Sequence, residues 1–256
     1  MKFVAIIPAR FSSSRFPGKP LALLGGKTII SRVYERVSKV IDEVYVATDD
    51  ERIYNNVLSF GGRAIMTSPS HRSGTDRCEE AFLKSGSKAD VVINVQGDEP
   101  FIDASQLEEI KKCFNDSATQ IATLVKPFSA GDGLERLENP NSPKVVIDSC
   151  GYAIYFSRSV IPYIRGVEKN EWLGKHTFFK HIGIYAYKAE VLSKITKLPQ
   201  SILEKAESLE QLRWIENGIK IKVGHTNIET IGIDTPDDLE RAEKFMESIG
   251  KGGIKE

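Results

Sequence analysis

Val4-Ala-Ile-Ile-Pro-Ala-Arg-Phe-Ser-Ser-Ser-Arg-Phe-Pro-Gly-Lys-Pro-Leu21 is the stretch from which the fold is read. A short apolar run opens it, and prolines, a glycine, serines and the cations Arg10, Arg15 and Lys19 follow, with no acidic residue among them. An apolar run of this length bounded by proline reads as a buried strand. A loop directly after such a strand sits at the carboxyl edge of a sheet, where open α/β folds take their ligands. Three positive charges so close in sequence repel one another unless an anion lies between them. Polyphosphate suits them best, because arginine grips phosphate oxygens as a planar fork and lysine acts as a point charge. A solvated basic loop is the alternative that these residues alone leave open.

Outward from that loop, 256 residues are enough to bury a full core and to form one α/β domain, or one with a sizeable insertion. Lys+Arg and Asp+Glu balance at 35 each and 41% of residues are hydrophobic, which excludes a disordered chain or a broadly nucleic-acid-binding one. The basic loop is therefore a local feature. Cys78, Cys113 and Cys150 are odd in number and lack metal-ligand spacing, as expected for thiols in a reducing cytoplasm. The apolar run near Met1 is too short for a signal peptide, and no later stretch is long enough to span a bilayer. These features predict a soluble cytoplasmic protein with neither nucleic acid nor membrane as partner.

Downstream, apolar positions at Ile30, Val33, Tyr34, Val37 and Ile41 have helical spacing, with Thr28 as N-cap. Glu43 to Ala47 reads as a strand, and Thr48-Asp49-Asp50 starts a helix that puts Ile53, Val57 and Leu58 on one face and stops at Gly61-Gly62. A short strand from Arg63 to Thr67, a loop over 68 to 77, a helix with Cys78, Ala81 and Phe82 inward, and a strand from Val91 to Gln96 follow. Strands alternating with helices predict a doubly wound, mostly parallel α/β sheet. After a helix around Leu107, Ile110 and Phe114 and a strand from Ile121 to Val125, the pattern changes. Residues 126 to 151 are rich in Gly, Pro, Asn and Asp, and strands at 145–147, 152–156 and 182–187 are separated by a long loop. Loops of that length are functional or mobile, so Asn170 to Phe178 is expected to be a lid or a subunit contact, with surface variability as the alternative. An amphipathic helix over 200 to 216, a strand from Ile219 to Val223, and a last helix with Thr235 as cap and Pro236 at its first position complete the chain.

Asp98 and Asp234 each follow a strand in a turn with Gly or Pro neighbours, so both can project at the edge that carries the cations. Two carboxylates beside a polyphosphate suggest Mg²⁺, which takes one or two carboxylates together with phosphate oxygens and water. Each aspartate also has an ordinary reading as a turn former or helix-start residue. Asp49 and Asp50 form a rival pair, or simply caps.

Several motifs in register resemble the 3-deoxy-manno-octulosonate cytidylyltransferase (CMP-Kdo synthetase) family. They are Ile6 to Leu21, Ala47-Thr-Asp49, Ser73-Gly-Thr-Asp-Arg77, Asn94-Val-Gln-Gly-Asp-Glu-Pro100, Tyr155-Phe-Ser-Arg158, His181-Ile-Gly-Ile-Tyr185, Leu209-Glu-Gln-Leu-Arg213 and Gly232-Ile-Asp-Thr-Pro-Asp-Asp-Leu239. The resemblance covers nearly the whole chain. It implies a nucleotide-diphospho-sugar transferase-like fold, a single domain over 1–256 with an inserted strand-rich sugar-binding and dimerisation subdomain at about 126–190, and a homodimer with its interface around Tyr152 to Arg165. It also implies an enzyme that couples CTP to the acid sugar Kdo with Mg²⁺, releasing pyrophosphate for lipopolysaccharide assembly.

Carried over residue by residue, Arg10, Arg15 and Lys19 would hold the triphosphate, Ala9 would also bind the nucleotide, and Lys19, Arg15, Asp98 and Asp234 would be catalytic. Ser73, Gly74 and Arg77 would line the nucleotide, and Asp98 and Asp234 would bind the metal. Gln96, Arg158, His181, Tyr185, Glu210 and Gln211 would face the sugar acid, whose carboxylate calls for a cation and whose hydroxyls call for amide, phenol and carboxylate partners. Plain alternatives stand beside these roles: Ser73 as a cap, His181 and Tyr185 as core, Arg158 paired with a surface acid, Glu210 solvated. The same motifs would serve an 8-amino-Kdo or sialic acid transferase, or a non-catalytic nucleotide sensor.

Overall fold

The computed structural model describes residues 1–12 and 15–251. In chain order the strands are β1 (Phe3–Ala9), β2 (Leu23–Leu24), β3 (Lys27–Thr28), β4 (Glu43–Thr48), β5 (Ala64–Met66), β6 (Val91–Asn94), β7 (Ile121–Pro127), β8 (Lys144–Ile147), β9 (Ala153–Ser157), β10 (Phe179–Lys188) and β11 (Ile221–His225). The helices are α1 (Ile29–Ser38), α2 (Glu51–Ser59), α3 (Gly74–Ser85), α4 (Ala104–Lys112), α5 (Gly133–Glu138), α6 (Trp172–Lys175), α7 (Ala189–Ile195), α8 (Ile202–Glu207), α9 (Gln211–Glu216) and α10 (Pro236–Lys251). They fall into two compact units, one built from Met1–Ala104 with the chain from Thr230 onward, the other from Ser105–Glu229.

In the first unit the strands run parallel in the order β6-β1-β4-β5. Val4, Ala5, Ile6 and Ile7 are wholly buried, as are Val91, Val92 and Ile93. Such uninterrupted apolar runs are what a parallel strand covered on both faces requires. Helix α1 buries Ile29, Ile30, Val33 and Val37, and the Thr28 hydroxyl accepts from the Ser31 N–H as its cap. Ile41, predicted to continue that helix, is buried just beyond its end. On α2 the buried stripe is Ile53 and Val57, whereas Leu58 is 48% exposed and not on the inner face. One residue past Val57 is about 100° further around the helix, which turns Leu58 toward solvent. Helix α10 begins as expected at Pro236: Thr235 Oγ1 accepts from the Asp238 N–H at 3.2 Å, and the Asp238 carboxylate accepts from the Thr235 N–H at 2.9 Å. That reciprocal pair satisfies two of the donors a helix start leaves open.

In the second unit β11 runs parallel to β7, and β7–β10, β10–β8 and β8–β9 pair antiparallel. A bulge between Ile182 and Tyr185 interrupts the register of β10 against β7, and Thr123 Oγ1 donates to the Ile184 carbonyl there at 2.8 Å. Bulges of this kind re-aim side chains. The 170–178 stretch buries Trp172 and Phe178 with Leu137 in a small core of its own, against which Val160, Ile164 and Leu173 pack. The helix expected over 200 to 216 is in fact two, α8 and α9. Ser208, at φ 50°, lies in the left-handed region and ends the first, and Arg213 then reaches back to Glu204 at 3.2 Å and to Glu210 at 2.7 Å. The apolar positions Leu203, Leu209, Leu212 and Ile215, from which one amphipathic helix is read, give no sign of one left-handed residue between them. Among the described residues no helix is long and apolar enough to cross a membrane.

Candidate active site

The loop after β1 is closed by a hydrogen bond from the Gly18 N–H to the Phe11 carbonyl at 2.8 Å. Gly18 sits at φ 75°, and a Cβ there would come within 3.1 Å of the Phe11 ring, so the closure selects glycine twice over. Lys19 follows at the start of a single 3-10 turn, Lys19–Leu21. Its ammonium donates to Asp98 at 2.6 Å and to Asp234 at 3.1 Å, and Arg15 lies 3.4 Å from the other Asp234 oxygen. Of the predicted loop, Ser13 and Ser14 lie outside the described residues.

One main-chain and one side-chain hydrogen bond bring the two aspartates together. The Ile233 N–H donates to the Asp98 carbonyl at 2.9 Å, and the Thr230 hydroxyl donates to the Glu99 carboxylate. The turn after β6 thus lies along the segment that enters α10. Gly97 in that turn backs onto β1 so closely that a Cβ would stand 2.8 Å from the Pro8 carbonyl oxygen. Helix capping at α10 falls to Thr235 and Asp238, and the Asp234 N–H also donates to Asp238, at 3.0 Å. The Asp234 carboxylate is left to Lys19 and Arg15.

Two carboxylates converging on one ammonium form an all-oxygen donor pair already arranged around a positive charge. Among the described residues no three His, Cys, Asp or Glu side chains gather as a metal cage. A donor set of this size fits Mg²⁺, whose remaining ligands come from substrate oxygens and water.

Ala9, Arg10, Arg15, Lys19, Gly74, Gln96 and Asp98 line one cavity of about 370 Å³, and Pro8, Ser12, Pro20 and Gly97, not singled out from the sequence, line it with them. Burial, followed by the nearby Arg77 charge, lowers the Arg10 pKa from its ordinary value. Ser73 is the N-cap of α3, its hydroxyl accepting from the Asp76 N–H at 3.1 Å. Arg77 departs from the expected lining role. It is fully buried, donating to Thr67 at 2.5 Å and to Asp49 at 2.8 Å, and so braces strand ends from within. Asp49 is thereby engaged in an ion pair, which its plainer reading as a cap does not include, and Asp50 caps α2 as that reading has it while pairing with Arg52 at 2.6 Å.

The remaining predicted residues belong to the second unit. The rings of His181 and Tyr185 are 5.3 Å apart, and Thr123 Oγ1 lies 3.0 Å from His181 Nε2. Desolvation pushes the His181 pKa down to about 3, and burial, then the Glu210 charge, raises that of Tyr185 well above the usual phenol range. The Tyr185 hydroxyl and the Gln211 amide nitrogen are buried without a hydrogen-bond partner among the described residues, as is the indole nitrogen of Trp214, whose ring packs edge-on to Tyr185 at 5.1 Å. Unpaired buried donors cost roughly 1 to 3 kcal/mol each, and such groups in a native fold call for an explanation. Glu210 accepts from Arg213. Arg158 differs from the expected sugar-facing cation. Its guanidinium donates to the carbonyls of Glu207 at 2.6 Å, Pro140 at 2.8 Å and Ser208 at 3.3 Å, which makes it a brace for that turn. Thr123 and Trp214 escaped sequence reading, since a threonine in a strand and a tryptophan on a helix carry no chemical signature by themselves.

Residues 4–221 match the cytidylyltransferase family. The chain is 66% identical to a 3-deoxy-manno-octulosonate cytidylyltransferase of Phocaeicola vulgatus over 96% of its length and 98% of the relative's. It is 62% identical to the protein of the same description from Bacteroides thetaiotaomicron, over 97% and 99%. A solved structure of CMP:2-keto-3-deoxy-manno-octonic acid synthetase complexed with CTP superposes with a TM-score of 0.88 at 44% identity, covering 97% of this chain and all of that one. The protein whose cationic turn closes on Asp98 and Asp234 belongs to the 3-deoxy-manno-octulosonate cytidylyltransferase family.

Proposed function

We propose that this enzyme transfers CMP from CTP to the anomeric hydroxyl of 3-deoxy-manno-octulosonate (Kdo), releasing pyrophosphate and activating the sugar for lipopolysaccharide biosynthesis. The convergence of Lys19 on Asp98 and Asp234 beside the cavity lined by Arg10 and Arg15 is the observation that carries this reading. The sugar oxygen attacks the α-phosphorus in line, the bond from that phosphorus to the bridging oxygen of pyrophosphate breaks, and the hydroxyl proton passes to solvent. No covalent enzyme intermediate is needed, so catalysis is positioning and charge neutralisation. Asp98 and Asp234 would hold Mg²⁺, which when bound polarises phosphate oxygens and lowers the pKa of an attacking hydroxyl. Arg10, Arg15 and Lys19 grip the triphosphate, and Lys19 and Arg15 stabilise charge growing on the leaving pyrophosphate, an effect worth roughly 3 to 4 kcal/mol for a well-placed donor. Gly74, capped into place by Ser73, meets the nucleoside end.

For the sugar, His181, Tyr185 and Gln211 supply the partners. The unsatisfied Tyr185 hydroxyl and Gln211 amide support this assignment, because a polyol offers the acceptors they lack. A homodimer through the stretch around Tyr152 to Arg165 is part of the proposal, supported by Ile154 at 54% and Tyr163 at 73% exposure. Cys78, Cys113 and Cys150, none of them in a disulfide, are consistent with a cytoplasmic location. The test is pyrophosphate release from CTP with Kdo and Mg²⁺ present or omitted in turn. Release that requires all three is expected, and release that is indifferent to Kdo removes the proposal. Asp98→Asn is expected to lower turnover by orders of magnitude with the fold retained, and near-normal turnover removes Asp98 from the metal site.

A further inference from the structure

The segment from Ser68 to Ser73, which leads into Gly74 at the cavity wall, has little regular structure of its own, yet it is tied down by one side chain. The Glu80 carboxylate, two turns into α3, accepts from the Ser68 N–H at 2.8 Å and contacts His71 Nε2, while its other oxygen takes Lys84 at 2.7 Å. The main chain of the same His71 accepts, through its carbonyl, a hydrogen bond from the Arg10 guanidinium, and Arg10 and Gly74 both line the cavity. A single carboxylate thus fixes the start and the middle of the loop. The loop in turn fixes one donor of a phosphate-facing arginine, which Arg77 would otherwise repel.

We propose that Glu80 and His71 are positioning residues that set the conformation of the 68–73 loop, and with it nucleotide affinity and the choice of cytosine over uracil. The inference rests on the nucleotide reading of the cavity. Neither residue lines the cavity, so both act through the backbone they hold. A loop that presents main-chain groups to a base edge discriminates only while its backbone is fixed, since C4 of cytosine carries a donor where uracil carries an acceptor.

Binding of CTP and UTP to the full chain is measured by calorimetry with Mg²⁺ present, alongside steady-state kinetics, for the wild type, Glu80→Gln, His71→Ala and His71→Gln. Glu80→Gln is expected to bind CTP about tenfold more weakly, the scale of one lost charged hydrogen bond, with the loss in KM for CTP and not in KM for Kdo. The preference for CTP over UTP narrows in Glu80→Gln and His71→Ala, and His71→Gln, which keeps a donor for Glu80, regains most of it. Circular dichroism melting confirms that each variant is folded. Wild-type CTP affinity and selectivity in folded Glu80→Gln and His71→Ala overturn the clamp alone. Failure of the wild type to bind CTP overturns the nucleotide reading and the clamp together.

Discussion

Lys19 neutralises a pair of carboxylates and faces a cavity in which other cations gather, so its removal exposes two charges at once. Lys19→Met is expected to cut turnover by about 100- to 1,000-fold, read by pyrophosphate release. Because Asp98 and Asp234 then lose the ammonium they share, and only Arg15 stays beside Asp234, the variant melts lower than the wild type without Mg²⁺ and gains more in melting temperature when Mg²⁺ is added. His181 gives a pH signature. Its pKa is depressed to about 3 in the fold against 6.5 when unfolded, so the unfolded chain binds the extra proton between those values. Stability is therefore full above pH 6.5 and declines as pH falls toward 3, by at most about 1.4 kcal/mol per pH unit. Urea unfolding of His181→Phe is expected to show a shallower decline over that window. Arg15 and Lys19 were legible as lining one cavity because they crowd together without counter-charges in sequence. Arg77 and Arg158 were not legible as braces, since their partners are an aspartate 28 positions away and main-chain carbonyls that only the fold brings near.

At the level of elements, the turn from β6 shows how packing and chemistry constrain the same backbone. Gly97 has no room for a side chain against Pro8, and its neighbour carries the Asp98 carboxylate. Gly97→Ala is expected to cost roughly 1 to 3 kcal/mol by forcing the turn outward, and to lower turnover as well, measured by denaturant unfolding and pyrophosphate release. Wild-type values for both would show that the turn yields without moving Asp98. The parallel strands were legible because burial on both faces leaves an uninterrupted apolar run. Thr28 and Thr235 were legible as caps because the chemistry of a helix start is local. The break between α8 and α9 was not, because it depends on one serine in a left-handed conformation and on an ion pair from Arg213 to Glu204 across the gap.

For the whole molecule, the exposed side chains of Ile154 and Tyr163 belong to the same stretch of the second unit that the homodimer proposal uses. Ile154→Glu is expected to shift the sedimentation coefficient from dimer to monomer, because a buried unpaired charge at a subunit contact is costly; an unchanged coefficient would place the contact elsewhere. The first unit is discontinuous: the chain leaves it after Ala104 and re-enters at Thr230, and the hydrogen bond from Ile233 to the Asp98 carbonyl is made only on re-entry. On the ribosome, the cationic turn and Asp98 therefore emerge long before Asp234 is even translated. Between the translation of Asp98 and that of Asp234 the nascent polypeptide carries the cationic turn with only half of its acidic counterpart, so the bridge that Lys19 makes between the two aspartates is completed only when the chain returns to the first unit.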